Sequence, residues 1–93
     1  MNATDWATEL LRSHSVALTA VQMDDTRALI ADGDGWLAAY DLFRDGIDDG
    51  WLDDADLTVA LELARAGAFS KFSADVERTS AALLSRKTES PSR

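Results

Sequence analysis

Carboxylates dominate the chemistry open to this sequence. Eleven aspartates lie between Asp24 and Asp56 against only Arg27 and Arg44, a local net charge of −9 in a 93-residue chain whose total is −8. Acid–base catalysis by such groups needs one carboxyl with a raised pKa inside a cleft. These aspartates instead fall where exposed turns are expected. The single His14 lies along the side that carries Leu10, Leu11, Ala17 and Leu18, the position of a histidine at the edge of a core. There is no cysteine, which excludes disulfides, thiolate zinc sites and a cysteine nucleophile. No glycine-rich phosphate loop follows a strand, because no strand is expected. The residues point to a protein without catalysis.

Metal ligation is the sharpest alternative. In the twelve residues from Asp45 to Asp56, Gly50 takes the sixth place, where a calcium loop of the EF-hand type makes its sharp turn. Asp45, Asp49, Asp53 and Asp56 then take the first, fifth, ninth and twelfth places, and Leu52 the apolar eighth. The frame departs from that loop at Ile47, which stands where a ligand oxygen is required, and at Asp56, which replaces a longer bidentate glutamate. A simpler account makes the aspartates helix caps and turn formers, whose carboxylates accept backbone N–H bonds and suit helix N-termini. No other cofactor is implied.

Contact is the third use of such a field. The acidic middle repels phosphate backbones and anionic lipid, so it argues against direct nucleic-acid or membrane binding and favours a protein partner with a basic surface. Asp32, Asp34, Asp48, Asp49, Asp53 and Asp54 would supply steering, with Trp36 and Trp51 beside the acidic turns as aromatic anchors. The same tryptophans fit core positions at helix starts, and that alternative stays open. A DNA mimic or a phage-encoded modulator of a host protein would also be acidic and small. Self-association is left open, since it depends on exposed apolar area.

Helices must position these groups. Apolar residues recur with helical spacing nearly throughout, and β-branched residues never alternate over a useful length. The expected fold is all-α, a compact single-domain bundle of about five short helices over residues 1–85, with a flexible tail at 86–93 that carries Pro91 and no apolar residue. Thr4 is expected to cap a first helix presenting Trp6, Leu10, Leu11, Ala17, Leu18 and Val21. Asp24 or Asp25 would cap a second helix that stops at Gly33. Asp34 would open a third, with Trp36, Leu37, Tyr40 and Phe43 inward and an end near Gly46. A fourth would begin near Asp53 or Asp54 and close at Gly67, and a last would run from Ser70 or Ser73 to Ser85. Asp34-Gly35-Trp36-Leu37 recurs as Asp49-Gly50-Trp51-Leu52, and each copy is expected to start a helix in the same way.

Residues 25–64 resemble the Maf-type immunity proteins of bacterial polymorphic-toxin systems. The likeness is carried by Leu29-Ile30-Ala31-Asp32-Gly33 and Ala38-Ala39-Tyr40-Asp41-Leu42, continued by Leu57, Leu61 and Ala64. Asp41 stands where that pattern has glutamate, and the Gly33-Asp34-Gly35-Trp36 turn is more elaborate. The resemblance implies a small helical inhibitor that binds a toxin, often a basic nuclease. A cytoplasmic bacterial protein fits the absence of a basic, apolar leader at the N-terminus and the excess of arginine over lysine, seven to two.

Overall fold

The computed structural model describes residues 1–89 and contains five α-helices with no strand among them, so the all-α expectation holds. No helix among the described residues is long and apolar enough to cross a membrane. Residue contacts divide the chain into two units, Met1–Trp51 and Leu52–Arg93.

The first unit consists of α1 (Ala3–Ser13), α2 (Ala20–Ala31) and α3 (Gly35–Asp49). Asn2, not Thr4, caps α1: its side-chain oxygen accepts from the Asp5 N–H at 2.8 Å. Ala3, Trp6, Ala7, Leu10 and Leu11 are buried at i, i+3, i+4, i+7 and i+8, the stripe of a helix with one covered face. The helix stops at Ser13, short of the expected extension to Val21. The Ala17 N–H closes a turn on the His14 carbonyl at 2.9 Å, and Ala17 and Val21 are exposed. The reason lies in Thr19-Ala20-Val21-Gln22, a capping box in which Gln22 N–H donates to Thr19 Oγ1 at 3.0 Å and Thr19 N–H to Gln22 Oε1 at 2.8 Å. Thr19 therefore starts α2, and Asp24 and Asp25 lie inside that helix on its exposed side.

The covered face of α3 is made of small residues. Gly35, Ala38, Ala39, Leu42, Phe43 and Gly46 are buried, whereas Trp36, Leu37 and Tyr40 are only half-buried. A Cβ placed on Gly35 would lie 1.9 Å from Thr4 Oγ1 and 2.7 Å from Thr4 Cβ, so α1 and α3 approach as closely as backbone allows at this point. Thr4 is a packing residue against that glycine.

The repeated tetrapeptides bracket α3 instead of starting two helices. Asp34 is the residue before the first helical turn, while Asp49 is the last helical residue and Gly50, at φ 76°, ends the helix in the left-handed region. Gly50 and Trp51 N–H both donate to the Gly46 carbonyl, at 2.8 and 3.1 Å. A residue with a Cβ would hold that conformation at a penalty of about 1–2 kcal/mol. Gly46, expected as a terminator, lies buried within the helix.

The second unit holds α4 (Asp54–Arg65), a single 3-10 turn (Ser70–Phe72) and α5 (Ser73–Glu89). Its buried side chains include Leu57, Ala60, Leu63, Ala64, Phe69 and Val76. Leu63 is buried and Leu61 only half-buried. Ser73 Oγ accepts from the Phe69 N–H at 3.0 Å and so ties the connection to the start of α5. The helix runs past Ser85 to Glu89, which removes residues 86–89 from the expected tail; residues 90–93 lie outside the described residues. Apolar periodicity ends at Leu84, but Arg86 is a good helix former and suits the negative end of a helix dipole.

Ser80 sits fully buried in α5 with no hydrogen-bond partner for its hydroxyl among the described residues. An unsatisfied buried hydroxyl destabilises, and alanine is the better helix former. Ser80→Ala is expected to stabilise the chain by about 1 kcal/mol, raising Tm by about 4–8 °C for a domain of this size. A fall in Tm on thermal denaturation would show that the hydroxyl is satisfied in solution.

Candidate functional site

The aspartates divide by what their carboxylates do. Asp53 caps α4: its side chain accepts from the Asp56 N–H at 2.8 Å, and Asp56 Oδ2 accepts in return from the Asp53 N–H at 3.2 Å. With Asp54 and Asp56 in the first turn of α4 and Arg65 in the last, that helix has its charges where its dipole favours them.

Helix α3 has the reverse arrangement. It carries no acidic residue in its first turn and no basic residue in its last, where Asp48 and Asp49 stand exposed. Asp34 supplies the capping position but makes no side-chain cap hydrogen bond. Asp41, Asp45, Asp48 and Asp49 fall at i, i+4, i+7 and i+8, one stripe of like charge. Like charges at i, i+4 destabilise by about 0.2–0.5 kcal/mol a pair, and anions at a helix C-terminus by about 0.3–1 kcal/mol each. Helix electrostatics therefore count against all four positions.

A groove of about 190 Å³ lies between α2 and α3, beside this stripe. Gln22, Asp25, Thr26 and Leu29 line it from α2, and Asp41, Arg44 and Asp45 from α3. Gln22 has a double role: its amide oxygen completes the α2 capping box, and its amide nitrogen donates to Asp45 Oδ2 at 3.2 Å. That bond holds the Asp45 carboxylate at the groove. On the α2 side, Thr26 Oγ1 donates to the Gln22 carbonyl at 2.7 Å and is buried. Arg44 Nη1 reaches the Tyr40 hydroxyl at 3.4 Å.

The Asp41 carboxyl is pushed above its ordinary range, first by desolvation against the groove wall and then by the neighbouring Asp45 charge, although the residue keeps solvent contact. The folded chain therefore holds this proton more tightly than the unfolded chain. Stability falls as pH rises from the unfolded carboxylate value, about 4, through the higher folded one. Asp41→Asn is expected to raise Tm at pH 7, with the gain vanishing below about pH 3.5, where both forms are neutral. Identical melting curves at pH 7 would contradict the shift.

Helix covers most of the expected calcium frame. Asp45 and Asp49 lie within the last turns of α3, and Asp54, Ala55 and Asp56 in the first turn of α4. Only residues 50–53 remain non-helical, whereas an EF-hand loop presents most of its ligands from irregular backbone. Asp53 and Asp56 are engaged in the capping box.

The two Gly-Trp turns are also separate. They stand at opposite ends of α3, which spans about 22 Å at 1.5 Å per residue. Asp32, Asp34 and Trp36 belong to one end, and Asp48, Asp49 and Trp51 to the other. Trp51 is half-buried with its ring centroid 4.6 Å from that of His14, tilted by 39°. It packs on the histidine instead of projecting as an anchor, and His14 sits at the C-cap of α1 with its N–H on the Leu10 carbonyl at 2.9 Å.

Sequence reasoning thus named Asp48 and Asp49 but missed Gln22, Asp25 and Asp41 as groove residues, and gave Asp45 only a metal role. The spacing of Asp41, Asp45 and Asp48 was the available signal. The place of α2 against α3 was not legible until its start at Thr19 was known. Compared with known protein families, curated proteins and solved structures, the chain matches none.

Proposed function

We propose that this chain is a non-catalytic binding protein that docks the acidic α2–α3 face onto a basic surface of another protein. One observation carries the reading: the α3 aspartates stand where helix electrostatics disfavour them, while those of α4 stand where it favours them. Charge kept against the interest of folding has a use in recognition, through steering and charge complementarity. Asp25, Asp41, Asp45 and Asp48 form the centre of this face, and Asp32, Asp34 and Asp49 its periphery. Asp53 belongs to the fold of α4, and Asp54 to the first turn of that helix.

An inhibitor of the immunity type, acting in the cytoplasm on a basic toxin, is the form of this reading that the likeness over residues 25–64 favours. The test is affinity capture from a lysate of the encoding organism at low and high salt, with wild type and an Asp25/Asp41/Asp45/Asp48→Asn variant in parallel. A protein with a basic patch, held at low salt and lost by the variant, supports the reading. A partner retained equally by both proteins overturns it.

A further inference from the structure

Asp-Gly occurs three times in the chain, as Asp32-Gly33, Asp34-Gly35 and Asp49-Gly50. In such a step the glycine nitrogen can close on the side-chain carboxyl carbon of the aspartate, because no Cβ on the following residue blocks the approach. The aspartate must rotate about ψ and the glycine N–H must leave its hydrogen bond, so the fold decides which step reacts. At Asp34-Gly35 the Asp34 carbonyl is pinned by the N–H groups of Leu37 and Ala38, at 3.0 and 3.1 Å, and Gly35 is buried against Thr4. At Asp49-Gly50 the Gly50 and Trp51 N–H groups share the Gly46 carbonyl, and Trp51 is held in turn by its packing on His14. Asp32-Gly33 has neither restraint. Both residues are exposed at the end of α2, a helix in which only Thr26 is buried among the described residues. The Gly33 N–H closes a single turn on the Ile30 carbonyl at 3.1 Å. Opening such a helix end is a low-cost local event. We infer that Asp32 is a site of spontaneous isomerisation to isoaspartate, a covalent modification that the fold suppresses at Asp34 and Asp49.

The reaction needs only water. The Gly33 nitrogen gives its proton to solvent and attacks Asp32 Cγ; the C–N bond forms as a C–O bond of the carboxyl breaks, and that oxygen leaves as water. Water then opens the cyclic imide. Addition at Cγ restores aspartate, whereas addition at the Asp32 main-chain carbonyl breaks the original peptide bond and leaves the chain running through Cβ and Cγ. Nothing is oxidised or reduced. The product carries an extra main-chain carbon between α2 and α3 and a free α-carboxylate, the group that isoaspartyl methyltransferases esterify. The Asp34 N–H, which donates to the Leu29 carbonyl across this joint at 2.9 Å, loses its register, so the modification loosens the end of α2 from the start of α3.

The test incubates the full chain at mildly acidic pH and physiological temperature, once folded and once in denaturing urea. Cleavage after Arg27 and Arg44 places Asp32 and Asp34 in one peptide and Asp49 in the next, and electron-transfer fragmentation assigns each isoaspartate by its backbone ions. In urea the three steps should react at similar rates. In the folded chain isoaspartate should accumulate at Asp32 at least about fivefold faster than at Asp34 or Asp49. Methyl transfer by an isoaspartyl methyltransferase should rise in parallel. It should fall to background in Asp32→Glu, whose longer side chain closes a larger ring far more slowly, and persist in Asp34→Glu and Asp49→Glu. Equal rates at the three steps of the folded chain, or a larger yield at Asp34 or Asp49, would overturn the inference. So would an unmodified Asp32 in folded chain over a time in which the denatured chain accumulates isoaspartate there.

Discussion

Gly35→Ala is expected to destabilise the chain by about 3 kcal/mol, at the upper end of what over-packing costs. The new methyl would fall 1.9 Å from Thr4 Oγ1 and 2.7 Å from both Thr4 Cβ and Cγ2, so a rotamer change of Thr4 alone cannot clear it. The α1 backbone would have to move, and Ala3, Trp6 and Ala7, all buried on that face, would move with it. For a domain of this size such a loss lowers Tm by more than about 12 °C. Combining Gly35→Ala with Thr4→Gly removes Oγ1, Cβ and Cγ2 of the threonine and should recover much of the loss, apart from the added flexibility of a glycine in a helix. Equilibrium denaturation of the two variants measures this directly. A Gly35→Ala chain as stable as wild type would mean that α1 and α3 do not approach in this way.

The second large effect is one of sign. Asp53→Ala removes a capping box and should cost about 1–2 kcal/mol. Asp48→Asn with Asp49→Asn removes two charges from the negative end of α3 and should stabilise by about 0.5–1.5 kcal/mol at low salt. The gain should shrink as salt screens the dipole, while the Asp53 loss, a hydrogen-bonding effect, should persist. Residues of one type, at most five positions apart, are thus expected to move stability in opposite directions. A loss of stability in the Asp48/Asp49 variant would show that those carboxylates serve the fold, and the functional reading of α3 would lose its basis.

The same contrast shows how much was legible beforehand. Five helices and their approximate order follow from periodicity, and the terminators Gly33 and Gly67 and a helix start near Asp53 or Asp54 follow from local chemistry. The errors have physical causes. Asp24 and Asp25 resemble caps as strongly as Thr19 does, and only the reciprocal bonds between Thr19 and Gln22 decide between them. On α3 the large apolar residues drew the expected core face toward Trp36 and Tyr40. The helix instead buries Gly35, Ala38, Ala39 and Gly46, because close approach to α1 demands small side chains.

The repeated Asp-Gly-Trp-Leu misled for a related reason. A glycine after an aspartate suits a helix start and a helix end equally, and φ at Gly50 is not written in the tetrapeptide. The acidic groove depended on these points together, since it requires α2 to begin at Thr19 and α3 to continue through Gly46 to Asp49.

Docking of the α2–α3 face onto a basic protein is tested most directly by association kinetics with the captured partner. Stopped-flow or surface-based k_on should be measured from about 50 to 500 mM salt for wild type and for Asp25/Asp41/Asp45/Asp48→Asn. The wild-type rate should fall at least about tenfold over that range, and the variant should begin about tenfold slower with a much flatter dependence on salt. Rates that ignore salt, or that are the same for both proteins at low salt, would contradict the account.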